Sequence, residues 1–401
     1  MIDSMEDLLL LYADLVCTRQ LKLNAGDLLS VHSEKDTYGF AKTLAQTATR
    51  YTRATVNIVI TDKGKVEEII PMDPVIPEVM QLDGKGQVLC RILSFENNPI
   101  IDDEDPTTIV TEPARISTYN MLGEPLIVDR RIAVPWAVIP IPGMNFIRAL
   151  TDEIEALDGT EPLRLLETLY RLDLEDPGTF WDNQIRLLHY RKIKLNAIRT
   201  TSLYHITNSE TELSFRKAHK TTWEGGESTL PNGRNYTPSL PSQSLHATLN
   251  YQTVNGKVKS TRPFIVFGKE VKDAQFTIKE GRVISFDAKQ GKEALTAFFH
   301  ADLNANIASS ISLADNRTSE STYLKKGIHP SLTTESSVCL GFGAVQTDTL
   351  ALGETLDSLA DKGILGCLVR MIVPIGSADL RVSVSEGTEE RSLMIDGNFE
   401  E

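Results

Sequence analysis

The sequence predicts two parts: an α/β domain on the N-terminal side and an α+β domain after it. Three observations carry this. Residues 26–62 show a strand, helix, strand order, the pattern of a βαβ unit. After about residue 205 long helical periodicity gives way to short strands and turns. A chain of 401 residues is long enough to bury two cores of ordinary size. The expected division is 1–204 and 205–401.

Residues 6–20 carry leucines at helical spacing, so the chain is expected to start with an amphipathic helix. That stretch has acidic residues and no basic segment ahead of its apolar run, which argues against a secretory signal. "GDLLSVHSE" (26–34) reads as a strand, "TYGFAKTLAQTATRYT" (37–52) as an amphipathic helix, and "ATVNIVITD" (54–62) as a second strand. The turn after the first strand lacks the glycines of a GxGxxG or P-loop fingerprint, so no nucleotide site is inferred. "NNPIIDDEDPTTIVTEP" (97–113) is acidic without EF-hand spacing and reads as a solvated loop. The three prolines of "AVPWAVIPIPG" (133–143) suit an edge strand followed by a turn. From 147 to 195 the pattern is helical, clearest in "EPLRLLETLYRL" and "WDNQIRLLHYRKIKLN".

In the second part, "TELSFRK", "VNGKVKSTRPFIVFG" and "QFTIKEGRVISFDA" read as strands and hairpins, the last turning at Glu280-Gly281. "KQGKEALTAFFHADLNANI" reads as a helix, "SSVCLGFGAV" and "CLVRMIVPIGSADLRV" as apolar strands, and "SLMIDGNF" as the closing strand. The tract 221–244 is polar and rich in turn residues. Its Glu224-Gly225-Gly226-Glu227 turn is a place where backbone could approach a ligand, although paired glycines more often serve the turn alone.

Composition narrows the function. Hydrophobic residues make up 41% and charged residues 24%, as in a soluble globular protein, and no apolar run is long enough to cross a bilayer. A cytoplasmic protein without a membrane partner is expected. The net charge of −14 would repel a phosphate backbone, and no basic stripe offsets it, so nucleic acid is not an expected partner. Four scattered cysteines form neither zinc-site pairs nor a disulfide framework. His300 and His329 read as surface or loop residues, since no HExxH or H-x-H pattern holds them.

Arg370 stands inside the run "CLVRMIVP". A guanidinium there needs an anion or water, because an unpaired buried charge costs several kcal/mol. Three readings are open: a salt bridge to a neighbouring carboxylate, an anion-binding group in a cavity, or a solvated residue of an edge strand. Pro374 points to an edge or an end of pairing.

The ordered segments "TELSFRKAHKTTWEGGESTLPNGRNYTPSLPSQSLHATL", "VNGKVKSTRPF", "FTIKEGRVISFDAKQGKEAL" and "PIGSADLRV" resemble the C-terminal half of the aminopeptidase T-like family of thermophilic metallopeptidases. The N-terminal "LLLLYADLVCTRQLKLNAGDLLSV" and the stretch from "LEDPGTFWDNQ" to "KLN" are similar to it as well. The resemblance implies an aminopeptidase T-like fold and, in the family's enzymes, two divalent metals held by glutamates, histidines and an aspartate. Such ligands lower the pKa of a bound water and polarise the scissile carbonyl.

Carried over position by position, the resemblance puts Ser244 and Ser310 where the two glutamates belong and Cys339 at the first histidine. Arg370 falls at the second histidine, Ile372 at the aspartate, and Gln346 near an expected tyrosine. Glu335 lies four residues upstream of Cys339, and His246 two downstream of Ser244. Isoleucine cannot ligate a metal, and a guanidinium would repel one.

The resemblance therefore implies a pseudoenzyme with no metal or other cofactor. It is expected to bind a peptide through Ser244, His246, Ser310, Cys339, Arg370 and Ile372 and to have no catalytic residues. Because Arg370 stands where a metal would, a peptide carboxylate is attracted and an amino terminus repelled. The expected role is an accessory protein in peptide maturation or peptide-derived metabolite biosynthesis, dimeric as the family's enzymes are, and working beside modifying enzymes. Two alternatives stay open: an enzyme with a relocated metal or a Cys339–His246 pair, and a structural or regulatory dimer subunit without a ligand.

Overall fold

The computed structural model describes residues 4–62, 65–71, 87–94, 134–141, 143, 166–318, 330–345, 349 and 359–400. The acidic segment 97–113, residues 147–165, His329 and Gln346 lie outside them. The described residues divide into two compact units, each discontinuous in sequence. One takes residues up to 94, 134–186 and 226–242; the other takes 187–225 and 243–400.

The first unit opens with α1 (Met5–Leu15), whose Ser4 side chain accepts the Asp7 backbone N–H. Leu8, Tyr12 and Leu15 recur at helical spacing and are buried. The leucine-rich helix expected over 6–20 ends earlier than that, because Val16–Gln20 widens into a π-helical turn. The expected βαβ unit is present as β1 (Leu28–Ser33), α2 (Tyr38–Thr52) and β2 (Thr55–Asp62), with β1 and β2 parallel. Phe40, Ala41, Leu44, Ala45 and Ala48 form the buried stripe of α2, and Phe40 stacks on Tyr12 with ring centroids 5.2 Å apart. β3 (Lys65–Pro71), β4 (Gln87–Ser94) and β5 (Trp136–Ile141) complete a sheet of order β3-β2-β1-β4-β5. Strand β5 is at its edge, where Pro140 can sit without removing a ladder hydrogen bond from a central strand.

Next comes α3 (Pro177–Asn196); its first half belongs to the first unit and its second half to the other. The second unit holds β6 (Leu203–Thr207) and β7 (Glu212–Lys217), whereas the short pair β8 (Ser228–Thr229) and β9 (Asn235–Tyr236) belongs to the first. Then follows β10 (Ser244–Lys259), one 16-residue strand interrupted only by a register shift between Asn250 and Asn255. The hairpin β11 (Phe264–Val266) and β12 (Lys269–Val271) precedes β13 (Gln275–Lys279) and β14 (Arg282–Asp287). β13 and β14 turn at Glu280-Gly281 as expected, and both of those residues have positive φ.

The remaining elements are α4 (Lys292–Ala301), β15 (Ala308–Ala314), α5 (Pro330–Ser336), β16 (Cys339–Gly343), β17 (Arg370–Pro374), β18 (Arg381–Glu386), β19 (Glu389–Ile395) and β20 (Asn398–Phe399). The main sheet runs β17-β16-β15-β10-β7-β6-β18-β19-β20. Strand β17 begins at Arg370, so the arginine is not mid-strand: Leu368, two residues before it, is 66% exposed. The apolar run is therefore buried only from Val369 onward, leaving out Arg370 itself, and β17 is an edge strand, in line with the proline that ends it.

Candidate functional site

The site is one face of four neighbouring strands. Antiparallel register places His246 opposite Ser312, Ser312 opposite Cys339, and Cys339 opposite Pro374. One step along, Thr248 faces Ser310, Ser310 faces Gly341, and Gly341 faces Ile372; a further step pairs Gly343 with Arg370. Opposed residues share a face, and so do residues two apart on a strand. Ser244, His246, Ser310, Cys339, Arg370 and Ile372 therefore all point to the same side. The other side carries Leu245, Ala247, Leu249, Ile311, Leu313, Leu340, Phe342, Met371 and Val373, all part of the unit's core. Alternation of apolar with mostly polar residues, broken on the front by Ile372, thus makes a sheet whose back is oily and whose front is largely polar.

The front is nonetheless buried. Ser244, Thr248, Ser310, Ser312 and Cys339 are all inaccessible, and Ile372 is 6% exposed. Gly341 shows how closely the side chains pack: a Cβ there would lie 2.1 Å from Ser310 Oγ and 3.3 Å from Ile372 Cδ1. Only glycine lets a serine and an isoleucine from flanking strands lean over the middle one. Thr349 also reaches this face, its hydroxyl 2.6 Å from that of Thr248.

Helix α5 supplies the site's one described buried carboxylate on this face, Glu335, at 8% exposure. Its oxygens accept the backbone N–H of Gln243 at 2.5 Å, the backbone N–H of Ser244 at 2.7 Å and the Ser244 hydroxyl at 2.8 Å. Burial holds this carboxyl above the usual carboxylate range, against those three hydrogen bonds and the nearby His246, all of which favour the charged form. Sequence reading noted Glu335 only by its spacing from Cys339. Its reach back to Ser244, 91 residues earlier in the chain, is decided by the fold.

Cys339 Sγ is 3.4 Å from the Thr333 carbonyl and 3.3 Å from that of Ser337. Burial raises its pKa, opposed by the guanidinium groups of Arg262 and Arg370 and aided by Glu335. His246 is two strands away, with Ser312 between them, about 10 Å in Cα separation. The thiol's hydrogen goes to carbonyls, and the geometry gives no support to a Cys–His nucleophile. Cys17, Cys90 and Cys339 are buried, with raised pKa values, and Cys367, half-buried, is pushed up to about 12. The native protein is therefore expected to react with Ellman's reagent at about pH 8 at Cys367 alone, and slowly, with the other thiols reacting on denaturation. Rapid labelling of Cys339 would contradict this environment.

The turn at Trp223 contacts the start of β10. Glu224 and His246 exchange backbone hydrogen bonds of 2.8 and 2.9 Å, and the Glu224 carboxylate accepts from Lys192 at 3.2 Å. Gly225 has φ 142°, and a Cβ there would lie 2.2 Å from the Ser244 carbonyl oxygen. Its lack of a side chain serves approach to the protein's own strand.

These residues do not fit a pair of divalent metals. The five positions carried over from the resemblance offer two neutral hydroxyls, a thiol whose ionisation burial opposes, a guanidinium and an aliphatic chain. Among the described residues no three of His, Cys, Asp and Glu are grouped so as to hold a metal. Arg262, in the connection after β10, is the other functional candidate that sequence reading missed. No motif marks it, and its guanidinium acts on the Cys339 thiol in the direction of the anion.

Comparison with known proteins covers nearly the whole chain. A family model described as Thermophilic metalloprotease (M29) matches residues 5–399. Aminopeptidase 2 of Geobacillus stearothermophilus is 26% identical over 309 residues, 72% of this chain and 72% of its own. Aminopeptidase T of Thermus aquaticus is 26% identical over 186 residues, 45% of each chain. The structure of wild-type AmpT from Thermus thermophilus superposes with a TM-score of 0.78 at 18% identity, covering 99% of this chain and 100% of that one. At that identity the likeness is one of fold, and it bears out the aminopeptidase T-like architecture.

Proposed function

Because this chain belongs to the thermophilic metalloprotease (M29) family, we propose that it is a catalytically inactive member, a pseudoenzyme that binds a peptide on the polar sheet face. One observation carries the reading: Ser244, Ser310, Cys339, Arg370 and Ile372, the positions implied for the family's ligands, fall together on that face, and none is a carboxylate or an imidazole. The face is coherent and its chemistry is replaced. Serine and threonine hydroxyls, Glu335 and Arg370 can hydrogen-bond an extended backbone, but they cannot polarise a carbonyl as a metal pair does.

The biological setting in this reading is an accessory protein, a homodimer that works beside modifying enzymes in peptide maturation or in making peptide-derived metabolites. The test is elemental analysis of protein purified without chelators, together with release of p-nitroaniline from leucine p-nitroanilide. No stoichiometric divalent metal and no hydrolysis are expected, also after zinc, cobalt or manganese is added. Stoichiometric metal that supports turnover would overturn the reading.

The near-complete burial of Ser244, Ser310 and Ile372 favours a rival, a structural subunit whose old site is filled by its own side chains. Calorimetric titration with mixed peptides separates the two, since a filled face gives no heat of binding.

A further inference from the structure

The sequence holds two Asn-Gly pairs, Asn232-Gly233 and Asn255-Gly256, and the fold sets them in contrasting places. In such a pair the glycine nitrogen can attack the asparagine side-chain carbonyl carbon, with no Cβ on the glycine to hinder it. The first pair lies in the loop between β8 and β9, where Pro231, Asn232 and Gly233 are all exposed. The Arg234 N–H donates to Asn232 Oδ1 at 3.0 Å. That bond folds the side chain over the peptide in between, toward the Gly233 nitrogen, and draws electron density from its carbonyl carbon. Gly233 has a φ of +83°, and nothing lies within 4 Å of where a Cβ would stand. The Gly233 N–H donates to the Leu230 carbonyl and the Leu230 N–H to the Arg234 carbonyl, both at 2.8 Å. An exposed turn opens such bonds to water without unfolding the sheet.

The second pair is held in β10, with Gly256 opposite Leu213 on one side and Ile278 on the other. Asn255 Oδ1 is turned away to accept the Glu280 N–H at 2.9 Å, and its Nδ2 donates to the Thr253 carbonyl at 3.3 Å. A Cβ on Gly256 would lie 2.0 Å from the Glu212 carbonyl oxygen, so backbone packs directly against it. Ring closure bends the chain out of extended geometry, which a strand paired on both sides resists.

We propose that Asn232 is a self-modification site, which converts to isoaspartate and aspartate in the native protein and thereby loosens the hold of Arg234 on Asp27. The Gly233 nitrogen gives its proton to hydroxide and attacks Cγ of Asn232. The new C–N bond closes a five-membered succinimide, the bond from Cγ to Nδ2 breaks, and that nitrogen takes a proton from water and leaves as ammonia. Water then opens the ring. Attack at the former main-chain carbonyl gives isoaspartate, and attack at Cγ gives aspartate. Water is consumed and ammonia released, mole for mole. Isoaspartate puts an extra methylene into a main chain that the bonds between Leu230, Gly233 and Arg234 hold in a tight turn. Arg234, whose terminal nitrogens donate to Asp27 at 2.8 and 2.6 Å, is carried by that turn, so its seat is disturbed.

The experiment incubates the native protein in mildly alkaline buffer and digests samples with trypsin in mild acid, following the peptides that end at Arg234 and Lys257 by fragmentation mass spectrometry. Asn232 is expected to change from amide to acid at least about tenfold faster than Asn255. In the urea-denatured chain the two should convert at similar rates. Labelling by an isoaspartyl methyltransferase should follow the conversion of Asn232. The aged protein should unfold at lower urea in the transition of the first unit than fresh protein does. Asn232→Gln, which would need a larger ring, should keep its amide and its midpoint through the same incubation. No conversion in the native protein, or equal native rates at Asn232 and Asn255, overturns the assignment. Conversion with an unchanged midpoint overturns the loosening of Arg234.

Discussion

Replacing Asp27 with alanine is expected to destabilise the first unit by about 3 kcal/mol, one of the two largest effects foreseen for a single substitution in this protein. Asp27 immediately precedes β1 and is nearly inaccessible. Its two carboxylate oxygens accept both terminal nitrogens of Arg234, at 2.8 and 2.6 Å, and one of them also accepts the Asn24 backbone N–H at 2.7 Å. Arg234 donates further to the Lys22 carbonyl at 3.3 Å, so one bidentate pair ties the loop between β8 and β9 to the entry of the sheet. Removing the carboxylate leaves a guanidinium whose side chain is only 16% exposed facing one carbonyl. That uncompensated charge, more than the lost attraction, sets the size of the effect.

Urea unfolding followed by tryptophan fluorescence measures it, fitted with separate transitions for the two units. Asp27→Asn keeps one acceptor and should lose roughly half as much. The double variant Asp27→Ala with Arg234→Met should recover part of the loss, because no charge is left behind. A shift below about 1 kcal/mol for Asp27→Ala would show that the pair behaves as an exposed one.

Glu335→Ala is expected to cost the second unit about 2–4 kcal/mol, by leaving two buried amide N–H groups and the Ser244 hydroxyl without their acceptor. Glu335→Gln should cost less, since its amide oxygen still accepts from one of them. The glutamine variant also isolates a pH effect. Burial holds the Glu335 carboxyl above its unfolded value, so the native chain takes up this proton at a higher pH than the unfolded chain does. The charged form is the disfavoured one in the fold. As pH falls through the native pKa, the wild-type protein therefore gains stability relative to Glu335→Gln, and the gain levels off below the unfolded pKa. Exposed carboxylates such as Asp287, Asp379 and Glu386 shift the other way and lose stability in acid, but they are common to both proteins and cancel in the difference. Parallel stability curves for wild type and Glu335→Gln would mean that this carboxyl is not held above its unfolded value.

Much of the second unit's front face was legible before any fold was known, because sheet alternation has a period of two residues. "SLHATL" and "CLGFG" alternate polar or small residues with apolar ones, "SSISL" does so from Ser310 onward, and pairing the apolar sides forces the others onto a common face, whereas Ile372 breaks the pattern in "RMIVP". The resemblance supplied the register that picked Ser244, Ser310, Cys339, Arg370 and Ile372 out of those runs, and the strand pairing places them together. What misled was the apolar run around Arg370. A buried strand and an edge strand with an exposed lead-in have the same composition, and only Leu368's exposure separates them.

The sequence by itself determined the βαβ start and the hairpin at Glu280-Gly281, and its prolines pointed to edges for two strands. All of these depend on local periodicity, turn chemistry or residue type. Only the tertiary structure decided that Glu335 meets Ser244 and that Asp27 holds Arg234. Each of these is a charge meeting a partner from 91 to 207 residues away. Charges are satisfied by whichever group the folded backbone brings within reach, and no local pattern encodes that distance.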